Sequence, residues 1–151
     1  MKEVTAKDVW NKAISLLARR EYSRYELTQK LAAIGADCDL NNVLDELEEA
    51  GYQSDRRYVE SFVRMRVGQG HGLNRIRFDL GRKGVSNELL RACLDELQID
   101  WFELAADLYQ RKYPEPLAKG DYKGRSKRLR YMSQRGFSMD EINYAAQCET
   151  E

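Results

Sequence analysis

Apolar residues return every three or four positions along the chain, in short bursts broken by polar caps and glycines. Ala6, Val9, Trp10, Ala13, Leu16 and Leu17 share one face of a first predicted helix, opened at Thr5 or Lys7. Ser23-Arg24-Tyr25-Glu26 reads as a capping box, in which the serine oxygen accepts a free backbone N–H and the glutamate reaches back. It opens a helix that buries Leu27, Leu31 and Ile34 and stops at Gly35. Asp39 then caps a helix carrying Val43, Leu44 and Leu47, closed by Gly51. The sequence repeats this trio twice. Asp55 precedes Tyr58, Val59, Phe62 and Val63; Leu73, Ile76 and Leu80 follow; Ser86 opens a run through Leu89, Leu90, Cys93, Leu94 and Leu97. Asp100 opens the last trio, Pro114 and Pro116 break its first helix, a basic helix falls near 122–135, and Ser138 to Glu141 repeats the capping box.

The repeat is visible in the letters. Leu31, Leu80 and Met132 each stand four residues before a glycine, and those glycines, Gly35, Gly84 and Gly136, are 49 and 52 residues apart. Asp45-Glu46-Leu47 recurs as Asp95-Glu96-Leu97. A period near 50 with helical content predicts an all-α fold of three tandem three-helix repeats, elongated and curved, over 1–51, 52–98 and 99–151. The trios resemble helix-turn-helix modules without a wing.

Composition changes one part of this picture. The chain carries 25 Lys plus Arg and 25 Asp plus Glu, a formal charge of zero. The sum hides a divided chain. Six acids and no base lie between Asp37 and Glu49, whereas seven bases and two acids lie between Arg64 and Arg91. Seven more bases and one acid lie between Lys119 and Arg135. Aligned on the glycines, Arg75 matches Lys127 and Lys83 matches Arg135, while the first trio has Glu26 and Ile34 there. On a helical wheel Arg75 and Arg82 point away from Leu73, Ile76 and Leu80, with Phe78 near them; Lys127, Tyr131 and Arg135 point away from Leu129 and Met132. The candidate binding residues are therefore Arg64, Arg66, Arg75, Arg77, Arg82, Lys83, Lys123, Arg125, Lys127, Arg128, Arg130 and Arg135. Such bases can neutralise phosphate or meet an acidic protein surface.

Catalytic chemistry has little to stand on. Gly68-Gln69-Gly70-His71-Gly72 follows a predicted helix, so it lacks the strand of a dinucleotide fingerprint, and the P-loop Gly-Lys-Ser/Thr is absent. It reads as a helix stop and a bend. His71 is the only histidine and has no nucleophile or carboxylate pair beside it in sequence. Cys38, Cys93 and Cys148 are scattered, which suits free thiols in a reducing compartment. No signal peptide and no run long enough to span a bilayer is seen, so a cytoplasmic protein without membrane contact is expected. No metal, cofactor or catalytic residue is expected.

Three stretches carry a resemblance: REYSRYELTQKL from Arg20, GYQSDRRYVESFVRMRVGQGHGLNRIRFDLGRKGVS from Gly51, and RGFSMDEI from Arg135. Together they resemble the bacterial regulatory RecX family, from about Ala13 to Ala146. The resemblance implies three three-helix repeats and a modulator of the RecA recombinase, lodged in the groove of the RecA filament on DNA. It implies restraint of strand exchange, ATP hydrolysis and coprotease activity, with no catalytic residue to carry over. Tyr52, Asp55, Arg57 and Tyr58 match the family motif; Asp55 is expected to cap a helix and Tyr58 to pack. The first trio departs in its loop GADCD, which lacks the serine cap. The expected partners are the RecA nucleoprotein filament and, more weakly, single- or double-stranded DNA through its phosphates, with the protein itself a monomer. Two other readings are a helix-turn-helix DNA-binding protein acting without RecA, and an enzyme built on the glycine loop.

Overall fold

The computed structural model describes residues 4–35 and 38–149. Among the described residues the chain forms nine helices and no strand. They are α1 (Ala6–Leu17), α2 (Arg24–Ala32), α3 (Leu40–Glu49), α4 (Asp55–Gly68), α5 (Leu73–Gly81), α6 (Asn87–Leu97), α7 (Trp101–Lys112), α8 (Tyr122–Gln134) and α9 (Met139–Cys148).

The capping residues start the helices as the pattern predicts. Thr5 with Asp8, Ser23 with Glu26 and Ser138 with Glu141 form reciprocal capping boxes on α1, α2 and α9. Asp39 and Asp100 accept backbone N–H groups at the starts of α3 and α7. The Ser86 hydroxyl accepts the Leu89 N–H in front of α6. Each cap satisfies donors that a helix leaves unpaired in its first turn. Of the GADCD loop, Ala36 and Asp37 lie outside the described residues.

Asp55 does something other than cap its own helix. Ser54 takes that place, its hydroxyl accepting the Arg57 N–H at 3.2 Å. The Asp55 carboxylate accepts the Arg24 backbone N–H at 2.8 Å, at the start of α2, and the Gln53 Nε2 at 2.9 Å. Tyr58 is buried, as packing requires.

The fold divides into two compact units. One comprises the described residues through Phe62 together with Leu80–Cys93; the other comprises Val63–Asp79 with the described residues from Leu94 onward. In the first, α1, α2 and α3 enclose Val9, Ala13, Tyr22, Leu27, Leu31, Val43, Leu44 and Leu47. In the second, α7, α8 and α9 enclose Ala105, Leu108, Tyr109, Met132, Phe137, Ile142 and Ala145. Leu27, Leu31, Leu44 and Leu47 are fully buried, so truncating any one to alanine costs on the order of 2–5 kcal/mol. The boundary runs through the middle trio, so a unit of packing is not the same as a unit of sequence repeat.

Candidate functional site

Within the second unit the glycine loop is a backbone junction. Gly72 N–H donates to the Arg135 carbonyl at 2.7 Å, and Asn74 N–H donates to the Gly136 carbonyl at 3.0 Å. The free donors at the start of α5 are thus met by free carbonyls just past the end of α8. The negative end of one helix dipole lies against the positive end of the other. Only glycine fits here. A Cβ on Gly72 would lie 2.5 Å from the Gly136 carbonyl carbon, and a Cβ on Gly136 would lie 2.5 Å from the Arg75 Cβ. Gly136 also has φ +105°. The loop is a stop and a bend, as its sequence suggests, but Gly72 is there for close approach to the third trio.

Arg135 completes the junction. Its guanidinium donates to the Gly70 carbonyl at 3.3 Å and to the Gln69 carbonyl. This side chain ties α8 to the end of α4 and does not point away from the protein as the helical wheel suggests. His71 is buried in the same loop, with no hydrogen-bond partner on Nδ1. Burial lowers its pKa below the ordinary 6.5, and the positive charges of Arg135, Arg66 and Arg75 push the same way against Asp79. The imidazole is therefore neutral at pH 7.

Arg128 is also committed internally. Its Nη1 lies 3.0 Å from the Glu149 carboxylate, its Nη2 donates to the Glu115 carbonyl at 2.9 Å, and it sits over the Tyr113 ring. Tyr109 Oη donates to the same glutamate at 2.8 Å, and the Leu117 N–H donates there too. Burial pushes the Glu149 carboxyl up, but the bonds from Tyr109, Leu117 and Arg128 together hold it below its usual range. Tyr131 packs edge-on against Tyr113 and under the Lys112 ammonium, half-buried where the wheel places it outside. Sequence reasoning had no sight of this knot, since Glu149 lies outside every motif.

The remaining bases sort by element. On α8, Lys123, Lys127 and Arg130 are exposed at i, i+4 and i+7, one stripe along the helix, with no ion pair among the described residues. Arg125 is exposed beside them. On α5, Arg75 is exposed and pairs with Asp79 at 3.4 Å, while Arg77 donates to Asn74 Oδ1 at 3.4 Å. Arg64 on α4 is exposed; Arg66 is half-buried and donates to Gln69 Oε1 at 3.3 Å. All of these belong to the second unit. Arg82 and Lys83 belong to the first, where Lys83 lies 3.6 Å from Glu26.

Among the described residues no group of three or more His, Cys, Asp or Glu is placed to hold a metal ion, and no helix is long and apolar enough to cross a membrane. Fold and site together define a class: a helical repeat protein with bases gathered on exposed helix faces.

Comparison with known proteins narrows that class. Residues 10–47, 54–94 and 98–145 match the first, second and third three-helix domains of RecX. The chain is 42% identical over 134 residues to the regulatory protein RecX of Chromohalobacter salexigens, covering 88% of this chain and 87% of that one. It is 43% identical to RecX of Pseudomonas putida over 131 residues, covering 86% and 83%. The crystal structure of RecX from Lactobacillus salivarius superposes with a TM-score of 0.80 over 96% of both chains, at 22% identity. The chain belongs to the RecX family of regulatory proteins.

Proposed function

We propose that the chain is a non-enzymatic modulator, chiefly an inhibitor, of the RecA recombinase, lodged in the groove of the RecA–DNA filament in the cytoplasm. Through it the protein regulates recombination, repair and the SOS response. Three trios, 1–51, 52–98 and 99–151, give the chain its reach along the polymer. Family membership supports the reading, and one observation carries it: Lys123, Lys127 and Arg130 form an exposed stripe that no acid among the described residues neutralises. The three side chains span about 10 Å of helix axis. Unpaired charge of this kind gains most from an anionic partner, because no internal pair has to be broken first. The stripe meets acidic groove surface, DNA phosphate, or both. Arg64, Arg75, Arg77 and Arg125 extend it, and Arg66, Arg82 and Lys83 add further positive charge. Arg128 and Arg135 serve the fold. Binding to bare single- or double-stranded DNA is weaker and dominated by phosphate contact.

Reversing the stripe tests the reading. Lys123→Glu, Lys127→Glu and Arg130→Glu together raise the concentration needed to inhibit the DNA-dependent ATPase of RecA by about tenfold or more. Undiminished inhibition by a folded triple variant would remove the stripe from the mechanism. Sequence-preferring binding to bare duplex, without binding to the filament, would favour a DNA-binding regulator that acts without RecA.

A further inference from the structure

The α5 face differs in kind from the α8 stripe. Phe78 is 63% exposed, the most exposed large side chain without a polar group among the described residues. It sits on the side of α5 opposite Ile76 and Leu80, which are fully buried, so it contributes nothing to the core. Arg75, one helical turn before it, and Arg77, its neighbour, are exposed and restrained, one by Asp79 and the other by Asn74. The result is an apolar knob flanked by two oriented guanidiniums, with a carboxylate close by. Its charge is partly spent inside the helix, whereas the α8 stripe is all unpaired cation.

We propose that Phe78 is the apolar anchor of a protein-docking face on α5, and that it seats in an apolar pocket rimmed by carboxylates on the filament protein. The proposal rests on the reading of the chain as a filament-binding regulator. Charge complementarity chooses the occupant. Two guanidiniums beside an exposed ring match carboxylates around a pocket, and arginine and aromatic side chains are the groups that most often dominate protein interfaces. A phosphate backbone would gain little from the ring and would be repelled by Asp79. An unpaired nucleobase could stack on the ring, and the experiment separates the two.

Phe78→Ala and Phe78→Leu are compared with the wild type for retention on RecA filaments assembled on single-stranded DNA, and for binding to an oligo-dT strand alone. Leucine keeps the apolar bulk and removes the aromatic face. Because the side chain is exposed, both variants keep the wild-type thermal midpoint, checked by circular dichroism. Filament binding falls about tenfold for Phe78→Ala. It stays within about threefold for Phe78→Leu, and binding to oligo-dT is unchanged for both. Unchanged filament binding by Phe78→Ala overturns the anchor and leaves the filament reading standing. Equal damage by both variants, with oligo-dT binding weakened too, overturns the protein pocket in favour of base stacking. A wild-type protein that fails to bind the filament at all overturns the functional reading and the docking face with it.

Discussion

Two glycine junctions, one in each compact unit, are built alike and charged differently. In the first unit Gly84, at φ +77°, lies over the first turn of α2, where a Cβ would fall 2.6 Å from the Tyr25 Cβ. In the second unit Gly136 lies over the first turn of α5, against Arg75. The charged positions around the first junction are Glu26 and Lys83, which pair at 3.6 Å, and Glu26 also holds Arg20. The corresponding positions around the second are Arg75 and Arg135. No acid takes the place of Glu26, so Arg135 turns to backbone carbonyls and Arg75 to Asp79 on its own helix. The contrast extends outward. Arg24 is held by Asp45 and Glu48, Arg56 by Glu60, and Arg57 by Glu21, all in the first unit. Lys123, Lys127 and Arg130 in the second unit have no such partner among the described residues. One backbone solution thus serves two electrostatic purposes: the first unit spends its bases on itself, and the second leaves a row of them for something else.

The largest effect that can break this comparison is steric. Gly136→Ala must accommodate both a left-handed backbone and a Cβ 2.6 Å from the Arg75 backbone nitrogen. It should cost on the order of 3 kcal/mol or more in denaturant unfolding. Gly51→Ala, at φ +81° with nothing within 4 Å of its Cβ, isolates the backbone term and should cost about 1–2 kcal/mol. Equal losses at the two positions would show that the junction is not tightly apposed.

A smaller effect sharpens the electrostatic side. His71 has a folded-state pKa below 6.5, so the unfolded chain takes up the proton first. Stability contributed by the neutral ring is complete above the unfolded value and is lost as pH falls from about 6.5 toward the folded pKa. Because His71 is the only histidine, its ring resonances can be followed by NMR without assignment ambiguity. They should titrate below pH 6.5, and His71→Gln should flatten the stability profile between pH 7 and 5. A titration at or above 6.5 would mean that the ring is solvated or paired with an acid.

Much of this was legible in the letters. Helical periodicity and cap chemistry are local, so the nine helices, the three capping boxes and the stop at Pro114 follow from short windows of sequence. The long motif from Gly51 to Ser86 carried the family. What stayed hidden depends on residues distant in sequence. Asp55 caps α2, 31 residues back, and not the helix it begins. Gly72 reads as a turn residue until Gly136 is seen against it. The helical wheel gave the direction of α8 only to within a residue or so, which sufficed for Lys127 and failed for Tyr131 and Arg135, whose partners lie on α7, at Tyr113 just past its end, and at the end of α4. Arg128 counted as one more surface base because nothing in sequence joins it to Glu149.

Everything turns on which unit's bases face the partner, and the salt dependence of filament binding reads this directly. Neutralising Lys123, Lys127 and Arg130 to glutamine should reduce the magnitude of the slope of log K against log salt by about 2 to 3, close to 0.7–0.9 for each anionic group that no longer meets a base. Neutralising Arg20, Arg24 and Arg57 in the first unit should leave the slope unchanged in a folded protein, since those side chains already answer to acids of their own chain. An unchanged slope in the α8 variant, with a reduced one in the first-unit variant, would contradict the account.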